Sequence, residues 1–223
     1  MTPYQKADGS AILSCREYDI AENTAIKIGQ VVKLAVGLVV AASANETGQI
    51  LGVAAENHSG AADALDPRAN GTKIMVWDDP QLIMSCEVPT FEATGGSATT
   101  VTTDDLGAFS NDDFNGGYLK LIAKAANSTN TDPVGTVKRI TDYAYNSTGT
   151  VSTFTVASGG TANNGDVYEL YPPRMFKKGN LDTNIRKLVL SATASLPLKV
   201  VGRDEDHSKI FLMAHLHSLG AED

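Results

Sequence analysis

Short apolar runs separated by turn residues are the dominant pattern of the chain. β-Branched residues fill many of the runs, as in residues 31–34 and 73–77, and Gly, Pro, Asn, Asp and Ser stand between them. Runs of this kind bounded by turn residues are typical of β-strands joined by turns. The pattern predicts an all-β fold, either a β-barrel or a β-sandwich built from short antiparallel strands with long loops and an N-terminal extended arm.

Thirteen runs qualify as strand candidates. They lie at residues 12–18, 26–34, 38–40, 49–55, 73–77, 81–88, 118–123, 134–145, 150–157, 167–171, 185–190, 196–201 and 210–216. Gly29 predicts a bend or a bulge in the second run, and Gly52 marks a point where another backbone approaches closely. The run of residues 78–80, Asp-Asp-Pro, predicts a hairpin or a corner between two sheets, because proline fixes φ there.

The distribution of turns and strands suggests three parts. Residues 1–16 form the extended arm, residues 17–91 together with 180–223 form a β core, and residues 92–179 form a β-rich insertion or second subdomain. Within that third part, residues 146–149 predict a hairpin turn, and residues 102–106 are expected to form a loop, with one short helical turn as the alternative.

Charge and composition narrow the classes of partner. The chain has 223 residues, of which 42% are hydrophobic, and a formal net charge of -8. This hydrophobic fraction is typical of a folded protein, and the negative net charge disfavours binding to nucleic acid or to anionic lipid. The longest apolar stretch, at residues 34–42, is far shorter than the roughly 20 residues that span a bilayer. The first residues lack the apolar segment of a secretory signal, so we expect cytoplasmic synthesis. From the net charge and the short apolar stretch we expect no nucleic-acid partner and no membrane association.

Few residues of the sequence suggest a catalytic or metal-binding role. His215 and His217 would share one face of a strand and could bind a metal with His207, but a solvated sheet face explains them without a metal and is the expected role. The acidic loops at residues 111–113 and 204–206 could bind calcium, but neither has the ordered spacing of a calcium loop. Nucleophile and phosphate-binding motifs are absent from the sequence. We therefore expect no catalytic residue, no cofactor and no metal, and a protein that is not an enzyme.

Cysteine and aromatic residues favour packing roles. Cys15 and Cys86 lie in separate strand-like runs without metal-site spacing, which predicts buried thiols. Trp77, Tyr143 and Tyr145 could form a platform for glycans, but packing in the core or on a sheet face is the expected role.

Three segments resemble a known family. Residues 28–34 (IGQVVKL), 48–54 (GQILGVA) and 71–80 (GTKIMVWDDP) are similar to capsid decoration, or cement, proteins of tailed bacteriophages. The resemblance implies a virion structural protein on the outer capsid surface that stabilises contacts between neighbouring capsomers. It also implies binding to the major capsid protein and assembly into a homotrimer.

The polar arm suggests how such a protein contacts its partner. An extended segment can add a strand to a sheet of another protein, and here polar residues lead into a short apolar run. The residues expected to contact the major capsid protein are Tyr4, Gln5, Lys6, Ala11, Ile12 and Leu13. The alternative function is a tail or fibre component that binds host-surface glycans through loops around Trp77 and Tyr143.

Overall fold

The computed structural model describes residues 2–6, 15–43, 46–59, 73–177, 179–181, 188–190 and 198–214. Its strands, in chain order, are β1 (Thr2–Lys6), β2 (Arg16–Asp19), β3 (Val31–Ala35), β4 (Leu38–Ala41), β5 (Gly52–Ala54), β6 (Lys73–Trp77), β7 (Leu82–Glu87), β8 (Thr90–Glu92), β9 (Gly95–Ser97), β10 (Thr100–Thr103), β11 (Tyr118–Ala123), β12 (Val137–Asn146), β13 (Val151–Val156), β14 (Val167–Tyr171), β15 (Gly179–Leu181), β16 (Leu188–Leu190), β17 (Leu198–Asp204) and β18 (Lys209–Ala214). These ranges contain no helix, and hence none long and apolar enough to cross a membrane. The prediction of an all-β fold is confirmed.

The first sheet closes on itself. Its strand order is β2-β6-β5-β3-β4, and the two outer strands meet where Ile20 forms a parallel bridge with Val39. The N–H of Ala21 donates to the Val39 carbonyl oxygen at 3.1 Å. Closure of a sheet pairs strand edges that would otherwise recruit other chains.

Alternating side chains fill the interior of this closed sheet. In β6, Ile74 and Val76 are buried while their neighbours are exposed or half-buried, as a period of two requires. The buried cluster comprises Ile20, Ile26, Val32, Val39, Leu51, Ala54, Ile74 and Val76. A Cβ on Gly52 would collide with the Trp77 carbonyl oxygen, which confirms the close backbone approach predicted at this glycine.

The second sheet begins where the chain leaves the first. Its order is β1-β7-β18-β17, so β6 and β7 belong to different sheets. Of the two alternatives for residues 78–80, the corner between sheets is therefore the one that forms. The strands β17 and β18 are joined by the charged turn at residues 205–208. β15 and β16 pair with each other and form a separate two-stranded sheet.

The third sheet is made of one continuous part of the chain. Its order is β8-β14-β11-β12-β13-β10-β9, and all seven strands lie between Thr90 and Tyr171. The chain enters this sheet after β7 and returns later to pair β18 with β7. This topology is that of an insertion between β7 and β18. Because the third sheet shares a buried core with the other sheets, the division of the chain into subdomains stays a prediction.

One large cluster of buried residues connects the sheets. It includes Met84 of β7, Leu212 of β18 and Phe154 of β13, together with Val31 and Val53 from the first sheet. The ring of Phe114 lies at its centre and contacts the rings of Phe109, Tyr143, Phe154 and Phe176. Such a shared core holds the sheets in fixed relative positions.

A buried carboxylate fixes the loops at one end of the seven-stranded sheet. Asp166 is fully buried and accepts hydrogen bonds from the Ala125 N–H at 3.0 Å, the Asn130 side chain at 3.0 Å and the Asn163 N–H at 3.1 Å. Burial by itself raises the pKa of Asp166, but its hydrogen bonds from Asn130, Ser128 and backbone N–H groups outweigh burial and lower that pKa below its ordinary value. The loops depend on the ionised form of this side chain.

Several predicted boundaries differ from the structure. The run at residues 26–34 contributes β3 only from Val31, because Gly29, with φ of 83°, turns the chain and Ile26 bridges to His58. The loop expected at residues 102–106 begins only after Thr103, because Thr102 and Thr103 belong to β10, and the short helical turn considered there does not form. Predicted strand residues 12–14, 185–187, 196–197 and 215–216 lie outside the described residues.

Candidate functional site

The N-terminal residues expected to contact a partner lie partly in β1. Tyr4, Gln5 and Lys6 belong to this strand, which pairs antiparallel with β7 through Gln5 opposite Ile83 and Lys6 opposite Leu82. The register shifts between Pro3 and Gln5, which places Tyr4 at the irregularity. Ala11, Ile12 and Leu13 lie outside the described residues.

Pairing with β7 uses only one edge of β1. The strand is the outermost of its sheet, and its second edge pairs with none of the strands in the described ranges. An outer edge of this kind presents backbone N–H and C=O groups to which a further strand can be added. β1 is thus part of this chain's own sheet, and a strand of another protein could still extend the sheet at its outer edge.

The hairpin between β3 and β4 has an unusual tip. Ala35 pairs with Leu38, so the loop has two residues, Val36 and Gly37, and their φ angles are 52° and 81°. Positive φ at both positions is the geometry of a tight hairpin turn that favours Asn-Gly or Gly-Gly, and it strains a β-branched residue. Val36 is also fully exposed, and Leu34 and Leu38 beside it are more than one third exposed.

This tip combines two local costs, backbone strain at Val36 and exposure of an apolar side chain to water. Strained positions persist where the surrounding structure imposes them, and they are concentrated at functional sites. This tip is not among the sites predicted from the sequence. Its signal was present, because a β-branched residue immediately precedes Gly37 at the break between two predicted strands.

The aromatic residues considered for glycan binding are mostly internal. Tyr143 is fully buried, and its hydroxyl lies 2.9 Å from the Ser152 hydroxyl. Burial raises the pKa of this phenol. Trp77 and Tyr145 are half-buried and pack against the large core. The expected packing role is confirmed, and Tyr143 has no face available for stacking on a sugar.

The charged turn at residues 205–208 is organised by a single aspartate. The Nδ1 atom of the exposed His207 lies 2.8 Å from Asp204 Oδ2, and the Asp206 N–H donates to Asp204 Oδ1 at 3.1 Å. The hydrogen bond from the His207 side chain lowers the pKa of the Asp204 carboxyl. His215 and His217 lie outside the described residues.

The acidic loop at residues 111–113 also uses its carboxylates within the chain. Asp112 accepts a hydrogen bond from the Asn115 side chain at 2.7 Å, and Asp113 accepts one from the Ser110 N–H at 2.8 Å. Across the part of the chain that the structure describes, no three His, Cys, Asp or Glu side chains are grouped so as to hold a metal ion.

The two cysteines have different environments. Cys86 is buried in β7, and burial raises the pKa of its thiol to about 12. Cys15 is only half-buried, so the prediction of buried thiols is confirmed for Cys86 alone. A thiol with so high a pKa carries almost no thiolate near neutral pH and is inert.

Comparison with known proteins found no match for this chain among protein-family models, curated proteins or solved structures. Function is therefore inferred from the residues, their geometry and the resemblance of the three segments described above.

Proposed function

We propose that this chain is a virion structural protein, a decoration or cement protein that binds the outer capsid surface of a tailed bacteriophage. One observation supports this above the others. The three segments that resemble such proteins, residues 28–34, 48–54 and 71–80, contribute β3, β5 and β6, which are neighbours in the closed sheet. The resemblance therefore coincides with one folded unit that has its own buried core.

The physical requirements of a cement protein fit this architecture. Such a protein needs a rigid body and exposed contact area rather than a catalytic pocket. The shared core gives rigidity, and closure of the first sheet limits uncontrolled edge-to-edge association. On the capsid, the protein would bind the major capsid protein, assemble with itself as a homotrimer and stabilise contacts between capsomers.

Two surfaces are the proposed contacts with the major capsid protein. The first is β1, whose outer edge would pair with a strand of the capsid protein. The second is the β3–β4 tip, where Val36 would enter an apolar depression on the shell and leave water. The two contacts are independent in sequence and can be tested separately.

Sedimentation with capsids tests this proposal. Purified chain is mixed with capsid shells of its source phage that lack the protein, and separately with isolated tails, and the pellets are quantified. Saturable binding to shells and none to tails is the expected result. Binding to tails alone, or to host glycans on an array without binding to shells, would overturn the proposal in favour of a tail or fibre role.

Two variants separate the proposed contacts. Deletion of residues 1–10 removes β1 and is expected to weaken capsid binding, while Val36→Ser is expected to weaken it without affecting the arm. Val134→Ser is the matched control, because Val134 is an exposed valine that lies outside both contacts. Circular dichroism of each variant confirms that the fold is retained.

A further inference from the structure

A shallow cavity of about 390 Å³ lies between β17 and the segment that follows β14. One side of it is formed by Pro172 and Arg174, and the other by residues 200–203 and Glu205. Two arginine side chains thus face one concave surface on a chain whose formal net charge is -8.

Contacts on two sides hold Arg203 in place. Its guanidinium carbon lies 3.4 Å from the ring centroid of Tyr118, and its Nε atom donates to the Glu205 carboxylate. Stacking of a guanidinium on an aromatic face fixes its plane. The remaining N–H groups of Arg203 are therefore presented in a fixed orientation.

Backbone hydrogen bonds attach Arg174 to the same strand. The Met175 N–H donates to the Val200 carbonyl oxygen at 2.8 Å, and the Val200 N–H donates to the Phe176 carbonyl oxygen at 3.1 Å. Arg174 itself is exposed, and it forms no ion pair with any residue in the described part of the chain. Among the residues that the structure describes, Arg203 is thus paired and Arg174 is not.

The edge of β17 adds backbone groups to the cavity. The register of β17 against β18 shifts between Val200 and Gly202, which makes Val201 the extra residue of a β-bulge. A bulge leaves the extra residue outside the ladder of hydrogen bonds, and β17 is an outer strand of its sheet. The Val200 backbone is bonded to Met175 and Phe176, whereas Val201 lies outside the ladder with β18 and can offer its backbone groups to a ligand.

From this geometry we infer that the cavity binds a carboxylate side chain of an acidic peptide segment in a partner protein. Arg174 and Arg203 contribute two positive charges and Glu205 one negative charge, so the wall carries a net charge of +1. The planar guanidinium matches a carboxylate through two parallel hydrogen bonds. The Glu205 carboxylate, already paired with Arg203, shows that this anion fits the wall, whereas a phosphate dianion beside Glu205 would meet stronger repulsion.

This inference does not depend on the capsid proposal, because the probe is a short peptide. Binding of a fluorescein-labelled hexaglutamate peptide is measured by fluorescence anisotropy at low ionic strength, where screening is weak. Arg174→Ala is expected to weaken binding about tenfold, as for loss of a charged hydrogen-bonded pair. Lys27→Ala is the matched control, since Lys27 is exposed in the turn at residues 27–30 before β3 of the first sheet, and its removal changes the net charge equally.

The binding measurements distinguish a specific site from general attraction between charges. A tenfold loss in Arg174→Ala with less than about a twofold loss in Lys27→Ala supports the site. In NMR spectra, the backbone amides of Val201 and Gly202 should shift when the peptide is added. Equal losses in the two variants, no binding at millimolar peptide, or displacement of the peptide by inorganic phosphate at lower concentration than by free glutamate would overturn the inference.

Discussion

The guanidinium carbon of Arg203 lies 3.4 Å from the ring centroid of Tyr118, and this contact joins β17 of the four-stranded sheet to β11 of the seven-stranded sheet. Lys120, two residues further along β11, reaches across in the same way and donates to the Glu205 carbonyl oxygen. The two sheets are therefore joined by polar contacts at their margin as well as by the apolar core between them.

Removing the Tyr118 ring should loosen this connection. Tyr118→Leu is expected to lower the free energy of unfolding by about 1–2 kcal/mol, because the cation–π contact is partly shielded from water. Tyr118→Phe keeps the ring and should lose less than half as much. Urea unfolding measures both variants, and equal losses would show that the ring face contributes nothing.

The buried Asp166 carboxylate should make stability depend on pH. Its pKa is lowered in the folded state, so its stabilising effect is complete above the ordinary pKa of an aspartate, about 3.9, and is lost as the pH falls through the folded value. Asp166→Asn should lower the free energy of unfolding by about 2–3 kcal/mol at pH 7, since an amide nitrogen would face N–H donors.

The difference in the free energy of unfolding between wild type and Asp166→Asn should narrow below about pH 4, because the native carboxylate is then protonated. Thermal unfolding from pH 7 to pH 3 measures this. A difference that stays constant over the whole range would contradict the assigned ionisation of Asp166.

Gly160 occupies a space that no side chain can enter. A Cβ at this position would overlap the Asn130 side-chain oxygen and lie 2.7 Å from the Thr131 nitrogen. Gly160→Ala should therefore destabilise the fold by about 2 kcal/mol or more, because the buried Asn130 network would have to move. In the matched variant Gly149→Ala the nearest atom is 3.6 Å away, and the change should stay within about 0.5 kcal/mol. Denaturant midpoints of the two variants decide between these expectations.

The strained tip of the β3–β4 hairpin should show opposite effects on stability and binding. Val36→Asn places a residue that tolerates positive φ in the turn, and it should raise the free energy of unfolding by about 0.5–1 kcal/mol. The same change should weaken binding to capsid shells, because the apolar contact is lost. Val134→Asn, at an exposed valine that is not among the residues with positive φ, should change neither quantity. A Val36→Asn protein that is more stable and binds shells as tightly would remove this tip from the interface.

Strand positions were well predicted from the sequence where the pattern was local. The bounds of β6, β11 and β14 coincide with the predicted runs at residues 73–77, 118–123 and 167–171. In each case the run is short and its apolar residues recur at alternate positions, so neighbouring positions alone define the strand.

The pairing of those strands could not be predicted in the same way. The bridge between Ile20 and Val39 and the pairing of β1 with β7 join residues distant in sequence, and many strand orders satisfy the same alternation. The contact between Arg203 and Tyr118 was missed for this reason, because alternation indicates the face of a strand but not the residue opposite it. The Val36 tip was missed because the turn residue expected before Gly37 is Asn or Gly rather than Val.

The position of this chain on particles purified from its source tests the proposed function most directly. Gold-labelled antibodies against the purified chain, followed by a cryo-electron microscopy map of the same particles, measure that position. The proposal predicts label over the whole capsid shell and β-rich density on its outer surface at junctions between capsomers. Label confined to tails or fibres, or absent from the particles, would contradict it.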